Sequence, residues 1–124
     1  MSAELKPVDT LPLRTGADYL ADLKASRRAV FVDGQRVSDP GSHPAFRAGA
    51  RQVAKLFDYA AAPENLETMT YLEPETGARA WRCFQIPKTH EDMKAKRIAA
   101  ERWAEQTFGL MGRTPDHVAN FFTG

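Results

Sequence analysis

The chain has 124 residues, with 17 Lys+Arg against 16 Asp+Glu and a formal net charge of +1. That balance sets up no strong field to draw the chain to nucleic acid or an anionic membrane, and a length below one ordinary domain of about 150 residues excludes a complete two-domain cofactor enzyme. A hydrophobic share of 43% and a charged share of 27% fit a globular protein able to build a core, read here as one unit.

Residues 1–13 carry Pro7 and Pro12 among polar groups. Proline fixes φ and removes a donor, so a flexible arm is expected there. Thr15 and Asp18 then form a Thr-x-x-Asp capping pattern ahead of a helix whose Tyr19, Leu20 and Leu23 share one face. Residues 29–32 and 35–37 flank Asp33-Gly34, the pair that best supplies the two positive φ values of a type I′ hairpin turn. The next helix is expected over residues 44–62, with Pro44 in its first turn and Pro63 ending it. Phe46, Ala50, Val53, Phe57 and Ala60 would form its buried stripe.

A second hairpin is expected from residues 69–72 and 78–86 around the turn-rich Glu73-Pro-Glu-Thr-Gly77. Thr89 to Asp92 repeats the capping pattern and opens a long helix to about Phe108, with Met93, Ala100, Trp103, Ala104 and Thr107 inward and Lys94, Glu101, Arg102 and Glu105 outward. Gly109 suits the left-handed residue after a helix. Thr114-Pro115-Asp116 then restarts a helix carrying Val118, Ala119, Phe121 and Phe122 to the end of the sequence. Because that helix is still apolar at its last residues, the expectation is a domain over 14–124, truncated before further sequence.

The fold class expected from these elements is mainly α with two short β-hairpins. The lone Cys83 excludes an internal disulfide and a Cys-rich zinc site and fits a reducing cytoplasm. No apolar run approaches the roughly 20 residues of a membrane span, and residues 1–11 lack a signal peptide's apolar segment, so cytoplasmic residence is expected. Glycine-rich phosphate loops, His-Glu-x-x-His and Gly-x-Ser-x-Gly are absent from the sequence. His43 and His90 read as turn residues, Cys83 as a small buried strand residue, Trp81 and Trp103 as core, and Lys94, Lys96 and Arg97 as a solvated face.

One segment stands apart: Gly109-Leu-Met-Gly-Arg-Thr-Pro-Asp-His117. Arg113 lies just before a helix N-terminus, where the dipole disfavours a cation unless a carboxylate or an anionic ligand compensates. His117 lies four residues on, so both side chains could face one pocket. A guanidinium and an imidazole converging there would stabilise a phenolate or peroxide oxygen; an ordinary Arg113 salt bridge beside a surface His117 is the other reading of the same residues.

Arg14-Thr-Gly-Ala-Asp-Tyr-Leu20, Val32-Asp-Gly-Gln-Arg-Val37, His43-Pro-Ala-Phe-Arg47, Thr70-Tyr71, Phe84-Gln-Ile-Pro87, Trp103 and the Gly109 to His117 segment follow one another in an order that resembles the start of the 4-hydroxyphenylacetate 3-monooxygenase oxygenase component family. The resemblance implies an N-terminal helical domain of an acyl-CoA dehydrogenase-like fold, followed in longer members by a β domain and a C-terminal helical bundle that assemble as tetramers. It also implies a two-component phenol hydroxylase, in which a separate flavin reductase supplies reduced FAD and oxygen is inserted ortho to the phenolic hydroxyl. Arg113 would then hold the phenolic oxygen near the flavin. The family's hydroxyphenylacetate enzymes have tyrosine where this chain has His117, while relatives acting on other phenols have histidine, so the phenol stays open. An imidazole, ordinarily titrating near about 6.5, could accept the phenol proton.

The main flavin-binding residues would lie downstream, none is identified here, and no metal is implied. The chain alone is therefore expected to be inactive. A 4-hydroxybutyryl-CoA dehydratase-type member of the same scaffold, and a non-catalytic helical module docking through Phe121 and Phe122, are the alternatives.

Overall fold

The computed structural model describes residues 13–109 and 116–123, with side chains from residue 118 onward in the second stretch. Residues 1–12, expected as most of a flexible arm, and Thr114 and Pro115, expected to open the last helix, lie outside the described residues. The architecture is mainly helical with two antiparallel strand pairs, as expected. The chain divides into two compact units, one of Arg14–Ala61 and one of Ala62–Gly124 together with the segment that ends at Leu13.

In the first unit, helix α1 (Gly16–Ala25) opens with the expected capping box: the Thr15 hydroxyl accepts from the Asp18 N–H, and the Asp18 carboxylate accepts from the Thr15 N–H at 2.9 Å. Strands β1 (Phe31–Val32) and β2 (Gln35–Arg36) pair Phe31 with Arg36 and Val32 with Gln35. Asp33 at φ 50° and Gly34 at φ 77° make the turn between them. Helix α2 is Arg47–Ala61, later than the expected start at Pro44. Residues 43–46 form a separate turn, because the His43 carbonyl accepts from Phe46 N and Arg47 N while His43 Nδ1 accepts from Ala45 N at 3.1 Å.

The buried face of α2 also differs from the expected stripe. Ala50, Ala54, Leu56 and Ala60 are buried, Val53 and Phe57 are half-buried, and Phe46 is 39% exposed. The reason is the closeness of α1. The buried Gly16 donates its N–H to Asp58 Oδ1 at 2.8 Å, and a Cβ on Gly16 would collide with the Ala54 carbonyl oxygen and lie 2.7 Å from Asp58 Oδ2. Such a crossing selects small residues where sequence periodicity favours bulky ones. At its edge, Tyr19 stacks on Phe57 with ring centroids 5.3 Å apart, and the Arg14 guanidinium covers both rings while pairing with Asp22.

The second unit begins with a 3-10 turn, Pro63–Asn65, and a one-turn helix α3, Leu66–Met69. Strands β3 (Thr70–Leu72) and β4 (Arg79–Trp81) pair with Thr70 opposite Trp81 and Leu72 opposite Arg79. The Thr70 hydroxyl is buried, donating to the Leu66 carbonyl and accepting from Arg79 Nη1 at 2.9 Å. The connecting loop is organised by Glu73, whose carboxylate accepts from Glu75 N, Thr76 N and the Thr76 hydroxyl. Those donors hold the Glu73 carboxyl below its ordinary range.

The second strand stops at Trp81 rather than reaching Ile86, and Arg82–Phe84 turns as a 3-10 helix. Arg82 forces that exit: Nη2 donates to Glu67 O at 2.8 Å, Nε to Thr68 O at 3.2 Å and Nη1 to Gln85 Oε1 at 3.1 Å. Cys83 is therefore on a turn, although buried as expected.

Helix α4 (His90–Thr107) carries the second capping box, between Thr89 and Asp92. Its buried residues are Ala99, Trp103 and Thr107, while Met93, expected inward, is 61% exposed. Trp103 is 2% exposed and packs on Trp81 with centroids 5.1 Å apart. The helix ends on two left-handed residues, Phe108 at φ 53° and Gly109 at φ 71°, whose N–H groups both donate to Ala104 O. Helix α5 follows as Asp116–Thr123.

Gly16→Ala should destabilise the chain by about 1–3 kcal/mol through overpacking against Ala54. Gly49→Ala, on α2 with open space around the added Cβ, should stabilise it by about 0.4–1 kcal/mol. Urea denaturation of both variants checks the opposite signs. Asp18 and Asp92 are each held below the ordinary carboxylate range, chiefly by backbone hydrogen bonds from Thr15 and from Lys88 respectively. Their stabilisation is fully present above the ordinary value of about 3.9 and is lost as pH falls through the lower folded-state values. Far-UV circular dichroism from about pH 5 to about pH 2 should show an Asp18→Asn, Asp92→Asn double variant losing less helicity than wild type.

Candidate functional site

The sequence-predicted site residues are Arg113 and His117. Arg113 lies outside the described residues; His117 is the second residue of α5, and its side chain is outside the described set. What the structure does define is the surface that positions α5 within the second unit. Ala119 is buried, at 1% exposure, Val118 and Thr123 are half-buried, and Phe121 and Phe122 are 77% and 80% exposed. Among its described residues the helix is thus most deeply held at Ala119, with Val118 and Thr123 beside it.

The polar contacts converge on Lys96 and Gln85. Lys96 Nζ donates to the Gln85 carbonyl at 2.9 Å and to the Thr123 hydroxyl, which in turn donates to Ala119 O at 2.9 Å. The Gln85 side chain accepts from Arg82 Nη1 and donates from Nε2 to Asp92 Oδ1 at 3.2 Å, while Asp92 Oδ2 accepts from Lys88 N at 3.0 Å. One connected set of bonds therefore runs from the end of α3, through the Arg82–Phe84 turn and the N-terminus of α4, to α5. Burial pulls the Lys96 amine below its ordinary range, opposed in part by nearby Cys83. Burial, with Glu73 and Cys83 adding, pushes Tyr71 up.

Lys96 was expected on a solvated face, and the structure corrects that. A signal existed: Lys96, Ala99, Trp103 and Thr107 step by three, four and four, so the lysine lies on the core side of α4. His43 is the turn residue expected, and His90 is exposed at the start of α4. Among the described residues no group of three or more His, Cys, Asp or Glu could hold a metal ion. An open hollow of about 310 Å³ lies in the first unit beside Arg36, Ser38, Asp39, Ser42 and His43. Its lining holds no Phe, Tyr or Trp to stack on a flavin ring, and no described residue is assigned to one. No helix among the described residues is long and apolar enough to cross a membrane.

Comparison with known proteins gives the site its context. The family profile described as 4-hydroxyphenylacetate 3-hydroxylase N terminal matches residues 15–124. The 4-hydroxyphenylacetate 3-monooxygenase oxygenase component of Thermus thermophilus is 42% identical over 105 residues, which is 85% of this chain and 21% of that protein. A crystal structure of the oxygenase component of 4-hydroxyphenylacetate 3-monooxygenase complexed with FAD and 4-hydroxyphenylacetate superposes with a TM-score of 0.76 at 42% identity, covering 85% of this chain and 22% of that one. A 4-hydroxybutyryl-CoA dehydratase from N. maritimus superposes with a TM-score of 0.63 at 25% identity, covering 77% of this chain and 19% of that one. Both neighbours have acyl-CoA dehydrogenase-like folds. The chain spans about a fifth of each of these relatives.

The polar bracing beneath α5 can be checked directly. Arg82→Met strips hydrogen bonds from the carbonyls of Glu67 and Thr68 and from Gln85, and should cost about 1–3 kcal/mol in chemical denaturation. Arg97→Met removes an exposed pair with Glu101 and should stay within about 0.5 kcal/mol of wild type.

Proposed function

Because the chain belongs to the 4-hydroxyphenylacetate 3-hydroxylase N-terminal family, we propose that it is the substrate-side helical domain of an oxygenase component that hydroxylates a phenol ortho to its hydroxyl, using reduced FAD and O2. The observation that carries this reading is the match across residues 15–124, which includes the whole Arg113 to His117 segment.

Arg113 holds the phenolic oxygen. A guanidinium donates charge-assisted hydrogen bonds and favours the phenolate, whose negative charge makes the ortho carbon electron-rich. His117, on the first turn of α5, accepts the phenol proton through a ring nitrogen and narrows the choice of phenol. The flavin, when bound, supplies the oxygen activation. The proposal further includes a separate flavin reductase as partner, a homotetrameric full-length assembly, a cytoplasmic setting, and a β domain and C-terminal helical bundle completing the flavin site. The 124-residue chain alone then gives no turnover with supplied reduced FAD.

The test is a graft in which residues 14–124 replace the matching segment of the Thermus thermophilus oxygenase component. The graft, given reduced FAD and O2, should hydroxylate one or more of a panel of para-substituted phenols. In it, Arg113→Ala should lower kcat/KM by ~10- to 100-fold, the equivalent of one charge-assisted hydrogen bond. His117→Tyr should shift the preferred phenol with a smaller loss. A soluble, FAD-binding graft that yields no product, or one indifferent to both substitutions, overturns the reading. The same exchange in the Geobacillus oxygenase component, 37% identical over 108 residues, decides the matter if the first graft does not fold.

A further inference from the structure

We propose that Lys96 is the positioning residue for α5, fixing the placement of the helix that carries His117. This rests on the site reading above and adds to it a residue outside the Gly109 to His117 segment.

Three observations lead there. Lys96 is half-buried on the core side of α4 and makes no ion pair with an acidic group among the described residues. Its acceptors are the neutral Gln85 carbonyl and Thr123 hydroxyl. Neutral acceptors bind an ammonium through directed hydrogen bonds, so the contact specifies geometry in a way that a solvated charge pair does not.

The second observation is the relay. Thr123 accepts from Lys96 and donates to the Ala119 carbonyl, two residues after His117. A change at the lysine is therefore felt on the backbone of the turn next to the site. The third is the small buried face of this helix among its described residues. An eight-residue helix is marginal on its own; its one fully buried described residue is Ala119, Val118 is half-buried, and Phe121 and Phe122 are largely exposed. Contact through an alanine is non-directional, whereas the Lys96 bond to Thr123 has a preferred geometry that disfavours rotation or sliding at that end of the helix.

Without this anchor α5 samples several placements, and only a fraction of molecules present His117 correctly. Apparent substrate affinity falls by that fraction, while saturating substrate recovers the competent form. Positioning through Lys96 thus predicts a rise in KM with kcat largely kept.

Two measurements test it. In the full 124-residue chain, Lys96→Met should raise amide hydrogen exchange over residues 116–123 by about tenfold or more while α1 and α2 are unchanged, and Lys96→Arg should restore near wild-type protection. Thr123→Ala cuts the α5 side of the anchor and leaves the bond to Gln85; it should reproduce the exchange change, and so separates loss of the anchor from a general loss of stability should Lys96→Met lower the melting temperature of the whole chain. In the grafted oxygenase, Lys96→Met should raise the phenol KM by about 3- to 10-fold with kcat within about twofold, and Lys96→Arg should keep the parent KM. Unchanged exchange in both Lys96→Met and Thr123→Ala overturns the anchor, and loosened exchange with an unaltered KM overturns its role in positioning. Indifference to Arg113→Ala counts instead against the underlying site reading, since that substitution leaves the anchor intact.

Discussion

The second unit depends on cationic side chains that donate to main-chain carbonyls. A four-residue helix such as α3 leaves its last carbonyls without helical partners, and Arg82 reaches back across 14 and 15 residues to satisfy those of Thr68 and Glu67. The same guanidinium holds Gln85, whose carbonyl receives Lys96. Strand β4 consequently ends where it does, the chain turns toward α4, and α5 has something to dock against. Carboxylates contribute differently: Asp18, Glu73 and Asp92 accept from nearby backbone N–H groups and organise local turns and helix starts.

The first unit uses another solution. Its helices meet at Gly16 and Ala54, so closely that a methyl group on the glycine has no room. Close approach there lets the Gly16 N–H reach Asp58, leaving Tyr19 and Phe57 to stack at the edge under Arg14. Smallness at the centre and bulk at the rim is the reverse of what a hydrophobicity pattern suggests, so the buried face of α2 keeps Ala50 and Ala60 of the predicted stripe but takes in Ala54 and Leu56 instead of its bulky members.

What could be read from sequence was whatever a few consecutive residues decide. Thr15 with Asp18, Thr89 with Asp92, and Asp33-Gly34 carry their conformations in their own chemistry, and each formed as expected. What could not be read was set by distant partners. The end of β4 depends on carbonyls of α3, the turn before α2 depends on which backbone groups His43 engages, and the inward course of Lys96 depends on Gln85 and Thr123. The candidate site divides along the same line. Arg113 and His117 stand out because a cation beside a helix start is locally unusual, whereas Lys96 sits in a run of charges that looks solvated until its spacing from Trp103 is counted.

The same division bears on how α5 is held. A group at the end of an element, as His117 is at the start of α5, lies where backbone donors lack helical partners, and ends are the least stably held parts of a fold. Burying more apolar surface on α5 would hold it harder but without directional preference, since an apolar contact tolerates sliding by a fraction of a turn. A hydrogen bond from a half-buried amine tolerates far less, because misplacement leaves a desolvated donor unsatisfied. The Lys96–Thr123 contact thus carries a cost in desolvation, since burial pulls the amine below its ordinary range, and would offer orientation in exchange. If Lys96 anchors α5 as proposed, the helix bearing His117 is placed by polar geometry at its far end as well as by its buried face.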